Sequence, residues 1–115
     1  MNIEEKDIET IEANAPLVEE VILRSKATAI CPLTKIVDSY DIEVSYKPRN
    51  NKFIEAYSFS RYLEKYRDRE VYQEQLANEI AEALCRTGAV DQLVVKIKGV
   101  HGSTEVEVIV EEECS

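Results

Sequence analysis

Hydrophobic and polar positions alternate most strictly along Asp41-Ile42-Glu43-Val44-Ser45-Tyr46, which predicts a strand turning Ile42, Val44 and Tyr46 to the core. Val21 to Ile30 reads as a strand before it, with residues 31–39 as a loop opened by Pro32. Pro48-Arg49-Asn50-Asn51 is a polar breaker that ends the second strand. The period then changes. Phe59, Tyr62, Leu63 and Tyr66 recur at helical spacing over 57–66, and Leu76, Ile80, Ala83 and Leu84 form one apolar face over 71–86. Gly88 is placed to cap the second helix, and Lys65 to Glu70 is a charged turn between the two. Leu93–Ile97 and Val106–Val110 return to a strand pattern, joined through a hairpin at His101-Gly102-Ser103. Residues 1–20 scatter Ile3, Ile8 and Ile11 among acids and suggest a short helix ending near Pro16.

The order is ββααββ. It predicts an α+β domain in which a four-stranded antiparallel sheet carries both helices on one face, because each helix has one apolar stripe to bury. Such a sheet leaves two edges open, and Val-rich edges invite pairing with neighbouring subunits. A ring of subunits closing the sheets into a barrel is physically allowed.

With 115 residues the chain is one domain with little room for a deep private pocket, so a site shared between subunits is plausible. We divide it into an acidic N-terminal extension (1–20), a body (21–111) and a tail (112–115). No apolar run approaches the length of a membrane span, and the acidic start lacks the features of a signal peptide. The three cysteines, Cys31, Cys85 and Cys114, form no CxxC pair, which argues for reduced thiols in a cytoplasm. Cys85 reads as packing and Cys114 as a tail thiol without function. His101 is the single histidine and reads as a loop residue, so no structural metal site is expected.

The net charge of −9 argues against nucleic acid until it is mapped. Residues 1–20 hold −6 and the tail Glu111-Glu112-Glu113 holds −3, leaving the rest neutral. Within that neutral part, Lys47 to Arg69 has a local charge of +4. Contact with phosphates and a solvated helix face are both open on charge alone.

Cys31-Pro32-Leu33-Thr34 with Asp38 is the one pairing that looks catalytic. A thiol is a nucleophile as thiolate, and its target then needs a proton donor nearby. Each residue also has a plainer use. Cys31 suits a buried strand end, Asp38 a turn, and Glu74 the first turn of a helix. The tyrosines 57, 62 and 66, with Phe59, suit core or subunit contacts better than base stacking.

The run Cys31-Pro32-Leu33-Thr34 to Asp38, then Ile42-Glu43-Val44-Ser45-Tyr46, Glu55 and Gln73-Glu74, resembles the nitrile-processing branch of the tunnelling fold. This branch holds the QueF-type nitrile reductases and the QueF-like amidinotransferases. The likeness spans residues 22–110. It implies that Cys31 attacks the nitrile carbon of 7-cyano-7-deazaguanine to give a thioimide. It implies that Asp38 handles the protons, that Glu74 reads the guanine-like edge, and that Gln73 and Glu55 belong to the substrate site. It also implies a homo-oligomeric ring, with a decamer as one candidate size.

Departures choose between the branches. Tyr57 and Ser60 stand where the reductases carry lysines associated with NADPH, and no GxGxxG follows a strand. The segment Tyr66-Arg67-Asp68-Arg69-Glu70 is more similar to the amidinotransferases. The resemblance therefore implies a cytoplasmic enzyme without cofactor that acts on tRNA carrying 7-cyano-7-deazaguanine and uses ammonia to form archaeosine. The alternatives are an NADPH-dependent reductase of the free base and a catalytically silent oligomeric RNA-binding module. In the family the residue before Glu74 is commonly His; Gln73 cannot exchange protons near neutral pH, so that role must pass elsewhere.

Overall fold

The computed structural model describes residues 7–115. Its elements are β1 (Thr10–Glu12), β2 (Val21–Ile30), β3 (Val37–Pro48), β4 (Lys52–Ile54), α1 (Ala56–Glu64), α2 (Gln73–Arg86), β5 (Val90–His101) and β6 (Thr104–Glu113). The main sheet runs β2-β3-β5-β6, antiparallel throughout, and β1 pairs with β4 in a separate two-stranded ribbon. The α+β arrangement, with both helices covering one face of the sheet, is therefore the observed one.

Strand periodicity puts one residue in two against the helices. On β3 these are Tyr40, Ile42, Val44 and Tyr46, each at most 2% exposed. On β5 they are Leu93, Val95 and Ile97, and on β2 the small Ala27 and Ala29. The helices supply Phe59, Tyr62 and Leu63 from α1, and Leu76, Ile80 and Leu84 from α2, to the same core. The opposite face is polar, with cross-strand pairs Arg24–Glu43, Lys26–Asp41 and Lys98–Glu107. Gly88 follows α2 at φ 79°, the left-handed conformation that favours glycine.

All four main strands outrun their alternating apolar stretches or match them at the limit. β3 reaches back to Val37, so Asp38 lies in a strand rather than in the predicted loop. β5 continues through Lys98 to His101 because ladder hydrogen bonds need no apolar side chain.

Two expectations are corrected. Among the described residues of the acidic segment there is no α-helix. Residues 10–12 form β1 instead, because Ile8 is buried in the core while the backbone of Glu9 bonds to Ser58 Oγ and to the amide of Glu55. Ile3 lies outside the described residues. The cysteines are not three free thiols: Cys85 is joined to Cys114. The length of β6 returns the tail over the end of α2, where the Cys114 amide bonds to Asp91 O and Arg49 Nη2 bonds to Cys114 O at 2.7 Å.

The basic stretch is not a bare cationic face. Lys65 and Arg61 on the α1 side meet Asp7 and Glu9, and Arg69 grips Glu79 through two bonds of 2.5 and 2.8 Å. Lys47 and Arg49 share Asp91.

Candidate active site

At one end of the sheet β2 finishes, β3 begins, and β5 turns into β6. The core-facing rows of β2, β3 and β5 run out there as Cys31, Asp38 and His101. Ala29 pairs with Asp38 and Ile30 with Val37 in the β2–β3 ladder. The loop between them is tight. The Cys31 amide bonds to Ile36 O, the Lys35 amide to Cys31 O, and Lys35 takes φ 62°. That reversal returns the chain quickly enough to put residues 31 and 38 at the same end of the hairpin.

The loop also conditions the thiol. Cys31 has its pKa lowered, first by a hydrogen bond from the Thr34 hydroxyl, then by the backbone of Thr34 and Leu33. Burial and the Asp38 charge act in the opposite direction. Donors aimed at sulfur favour the thiolate, the form that attacks.

The start of α2 is fastened beside this loop. The Ile30 amide bonds to Arg69 O and the Val71 amide bonds to Ile30 O, so the chain entering α2 runs alongside the end of β2. Lys35 is also ion-paired with Glu70. Tyr72, the N-cap, supplies no side-chain cap, and Glu74 sits in the exposed first turn.

Gln73 is 2% exposed. Its Nε2 donates to Ile97 O at 2.8 Å and to Val106 O at 2.9 Å, and its Oε1 meets His101 Nε2 at 2.8 Å. His101 Nδ1 lies 3.6 Å from Asp38 Oδ2, and the Tyr40 hydroxyl donates to the same oxygen at 3.4 Å. Burial, then the Asp38 charge, pushes the Tyr40 phenol well above its ordinary pKa, so it remains a donor.

These residues line a cleft of about 650 Å³ that contains Cys31, Asp38, Tyr40, Gln73, Glu74 and His101. Leu33, Ile36, Tyr72 and Val100 give its mouth exposed apolar walls. Apolar walls with a few convergent polar groups suit a flat heteroaromatic ligand. Glu55 lies elsewhere: its carboxylate caps α1 by accepting from the amides of Tyr57 and Ser58, and it is not among the residues lining the cleft. His101 was missed as a site residue. The signal was present, since stepping by two from Leu93, Val95 and Ile97 reaches Gly99 and His101. Among the described residues no cluster of three His, Cys, Asp or Glu side chains could hold a metal ion.

The fold and this cleft define an α+β protein with a conditioned thiol and carboxylates at the end of its sheet. Residues 38–114 match the model of the QueF-like protein family, and the chain belongs to that family. The matched span begins at Asp38, so Cys31 lies before it. The chain is 31% identical over 91 residues to an archaeosine synthase of Pyrobaculum calidifontis, covering 79% of this chain and 83% of the relative. It is 33% identical over 87 residues to an NADPH-dependent 7-cyano-7-deazaguanine reductase of Trichodesmium erythraeum, covering 70% of this chain and 60% of that enzyme. A crystal structure of an apo archaeosine synthase QueF-Like superposes with a TM-score of 0.79 at 29% identity, covering 83% of this chain and 94% of the other.

Proposed function

We propose that this protein is an archaeosine-forming enzyme that converts the nitrile of 7-cyano-7-deazaguanine in tRNA to a formamidine with ammonia. The observation that carries this reading is the convergence of Cys31, Asp38 and Glu74 on one cleft, with the Cys31 thiol conditioned toward thiolate. The Cys31 sulfur bonds to the nitrile carbon while the nitrile nitrogen takes a proton through Asp38, giving a neutral thioimide. Ammonia then adds to the same carbon. As the carbon–sulfur bond breaks, the electron pair leaves on Cys31 as thiolate, and the product departs as an amidinium. Glu74, at the cleft and on the exposed first turn of α2, accepts hydrogen bonds from the N–H groups of the guanine-like edge.

The apolar cleft mouth gives the flat ring system a surface to lie on. Nothing in the step requires hydride, and Tyr57 and Ser60 occupy the positions where a cationic grip on NADPH was expected. The likeness to the reductases supports the shared nitrile-binding half of the chemistry.

The test supplies nitrile-bearing tRNA and isotopically labelled ammonium without reductant, and follows the modified nucleoside by mass spectrometry. Label is expected in the formamidine, and Cys31→Ala is expected to abolish it. Full activity of Cys31→Ala would end the thioimide mechanism. Nitrile-dependent oxidation of NADPH, with no formamidine, would assign the reductase activity instead.

A further inference from the structure

We propose that His101, carried into the cleft by the β5–β6 hairpin, is the positioning residue that orients Asp38 for proton transfer to the nitrile, with Gln73 as the fixed partner that sets its tautomer. The inference rests on the function proposed above and adds a residue to it.

The hydrogen-bond network determines where the protons are. Gln73 Nε2 faces two backbone carbonyls, Ile97 O and Val106 O, which can only accept. The amide is therefore fixed with Oε1 toward His101, and an amide oxygen only accepts. The His101 Nε2 in contact with it at 2.8 Å must carry a hydrogen. That leaves Nδ1 toward Asp38 Oδ2, 3.6 Å away. In that tautomer Nδ1 presents its lone pair toward Asp38, so the ring orients the carboxyl through which a proton passes.

Two features hold the pair in place. The Asp38 side chain is only 14% exposed, and Tyr40 donates to the same oxygen while its ring packs 5.9 Å from the imidazole. Cys31 from the loop and Glu74 from α2 line the same cleft as the pair.

A nitrile becomes electrophilic toward a thiolate as its nitrogen is protonated, so an Asp38 held in the orientation for proton transfer in the same cleft as Cys31 serves the first chemical step. Gln73 cannot exchange protons itself. It anchors, in the required tautomer, the ring that can.

The test follows covalent capture of 7-cyano-7-deazaguanine by intact-protein mass spectrometry in quenched time courses. It compares the full-length wild-type chain with His101→Gln and with His101→Ala. His101→Gln keeps a donor for Gln73 but removes the titratable ring. We expect it to slow adduct formation at least about tenfold while the half-saturating base concentration stays within about twofold. We expect His101→Ala to be equally slow and to regain rate when free imidazole is added. Thermal unfolding of both variants confirms that they are folded. An unchanged rate in His101→Gln, or a loss expressed only as weaker base binding, would overturn the inference. No adduct in the wild-type protein would instead defeat the role of Cys31 itself, and this inference with it.

Discussion

Gly99 offers the sharpest test of how the sheet supports the cleft. It stands opposite Tyr40 in the β3–β5 ladder, and the tyrosine ring lies over it. A Cβ added at position 99 would come within 2.6 Å of both Cδ1 and Cε1 of Tyr40 and 3.4 Å of Gln73 Oε1. Carbon atoms prefer roughly 3.5–4.0 Å, so the ring must move by about 1 Å. It has nowhere easy to go, being 2% exposed and packed beside His101. Overpacking of this kind costs about 1–3 kcal/mol.

For a domain of this size Gly99→Ala should therefore lower the melting temperature by about 4–15 °C. The same displacement breaks the bond from Tyr40 to Asp38, already long at 3.4 Å, and crowds the amide that holds His101. Misplacing reacting groups by about 1 Å can cost about 100-fold in rate, so adduct formation at Cys31 should slow by about 10- to 100-fold. Leu93→Ala is the control. It lies on the same strand face, far from the cleft, and should destabilise by about 2–5 kcal/mol while capturing the nitrile base normally at temperatures where it stays folded. Circular dichroism melts and adduct time courses measure both effects. If Gly99→Ala melts with the wild type and captures the base at the same rate, the account of Tyr40 as a supported wall of the site is wrong.

Two further predictions concern the cysteines. Replacing Thr34 with Val removes the hydroxyl that contributes most to lowering the Cys31 pKa, so the thiol pKa should rise. Alkylation by iodoacetamide should then slow at neutral pH, its rise should move to higher pH, and the alkaline plateau should be unchanged; a midpoint that stays put or moves down refutes it. The Cys85–Cys114 bond closes a sequence separation of 29 residues and should stabilise the fold by about 3–4 kcal/mol on the chain-entropy account. Cys114→Ser should melt lower yet still form the Cys31 adduct, and thiol titration of the wild-type protein in denaturant without reductant should find Cys31 alone; titration of all three cysteines in the wild type would refute the pairing.

The body of the fold was legible because its elements are long and their apolar periods clean. Ile42, Val44 and Tyr46 face the core as their alternation requires, and Phe59, Tyr62, Leu63 and Tyr66 are buried as their helical spacing requires. β1 and β4 were not legible, because three residues carry no period. The Cys85–Cys114 pair was hidden by an odd count and by a β6 that runs three residues past its last valine, to Glu113. Charge counting over 47–69 overstated the free positive surface, since it could not foresee Asp7 and Glu9 lying against Lys65 and Arg61. For the site, motif reading paired Cys31 with Asp38 and the family resemblance added Gln73 and Glu74, and these four share one cleft, while Glu55, which the resemblance also assigned to the substrate site, caps α1.

What motif reading could not supply was His101, and the reason lies in how a sheet builds a site. A motif is a run of neighbours, whereas a sheet end collects residues by register. Tyr40 pairs with Gly99, and Gly99 pairs with Val106, so the ends of three strands meet although their residues lie far apart in sequence. Each row that serves the core as Val or Ile must change character where the helices stop covering it. On β3 the row ends in Asp38, on β5 in His101, and at the end of β2 in Cys31. The entry to α2, tied to β2 through Ile30, closes the ring of polar groups with Gln73 and Glu74. A polar residue at the end of an otherwise apolar row, beyond the cover of the helices and opposite another such row, is thus a physical signal of a site. It is readable from strand register even where no motif marks it, and in this chain it selects the histidine that Gln73 holds in place.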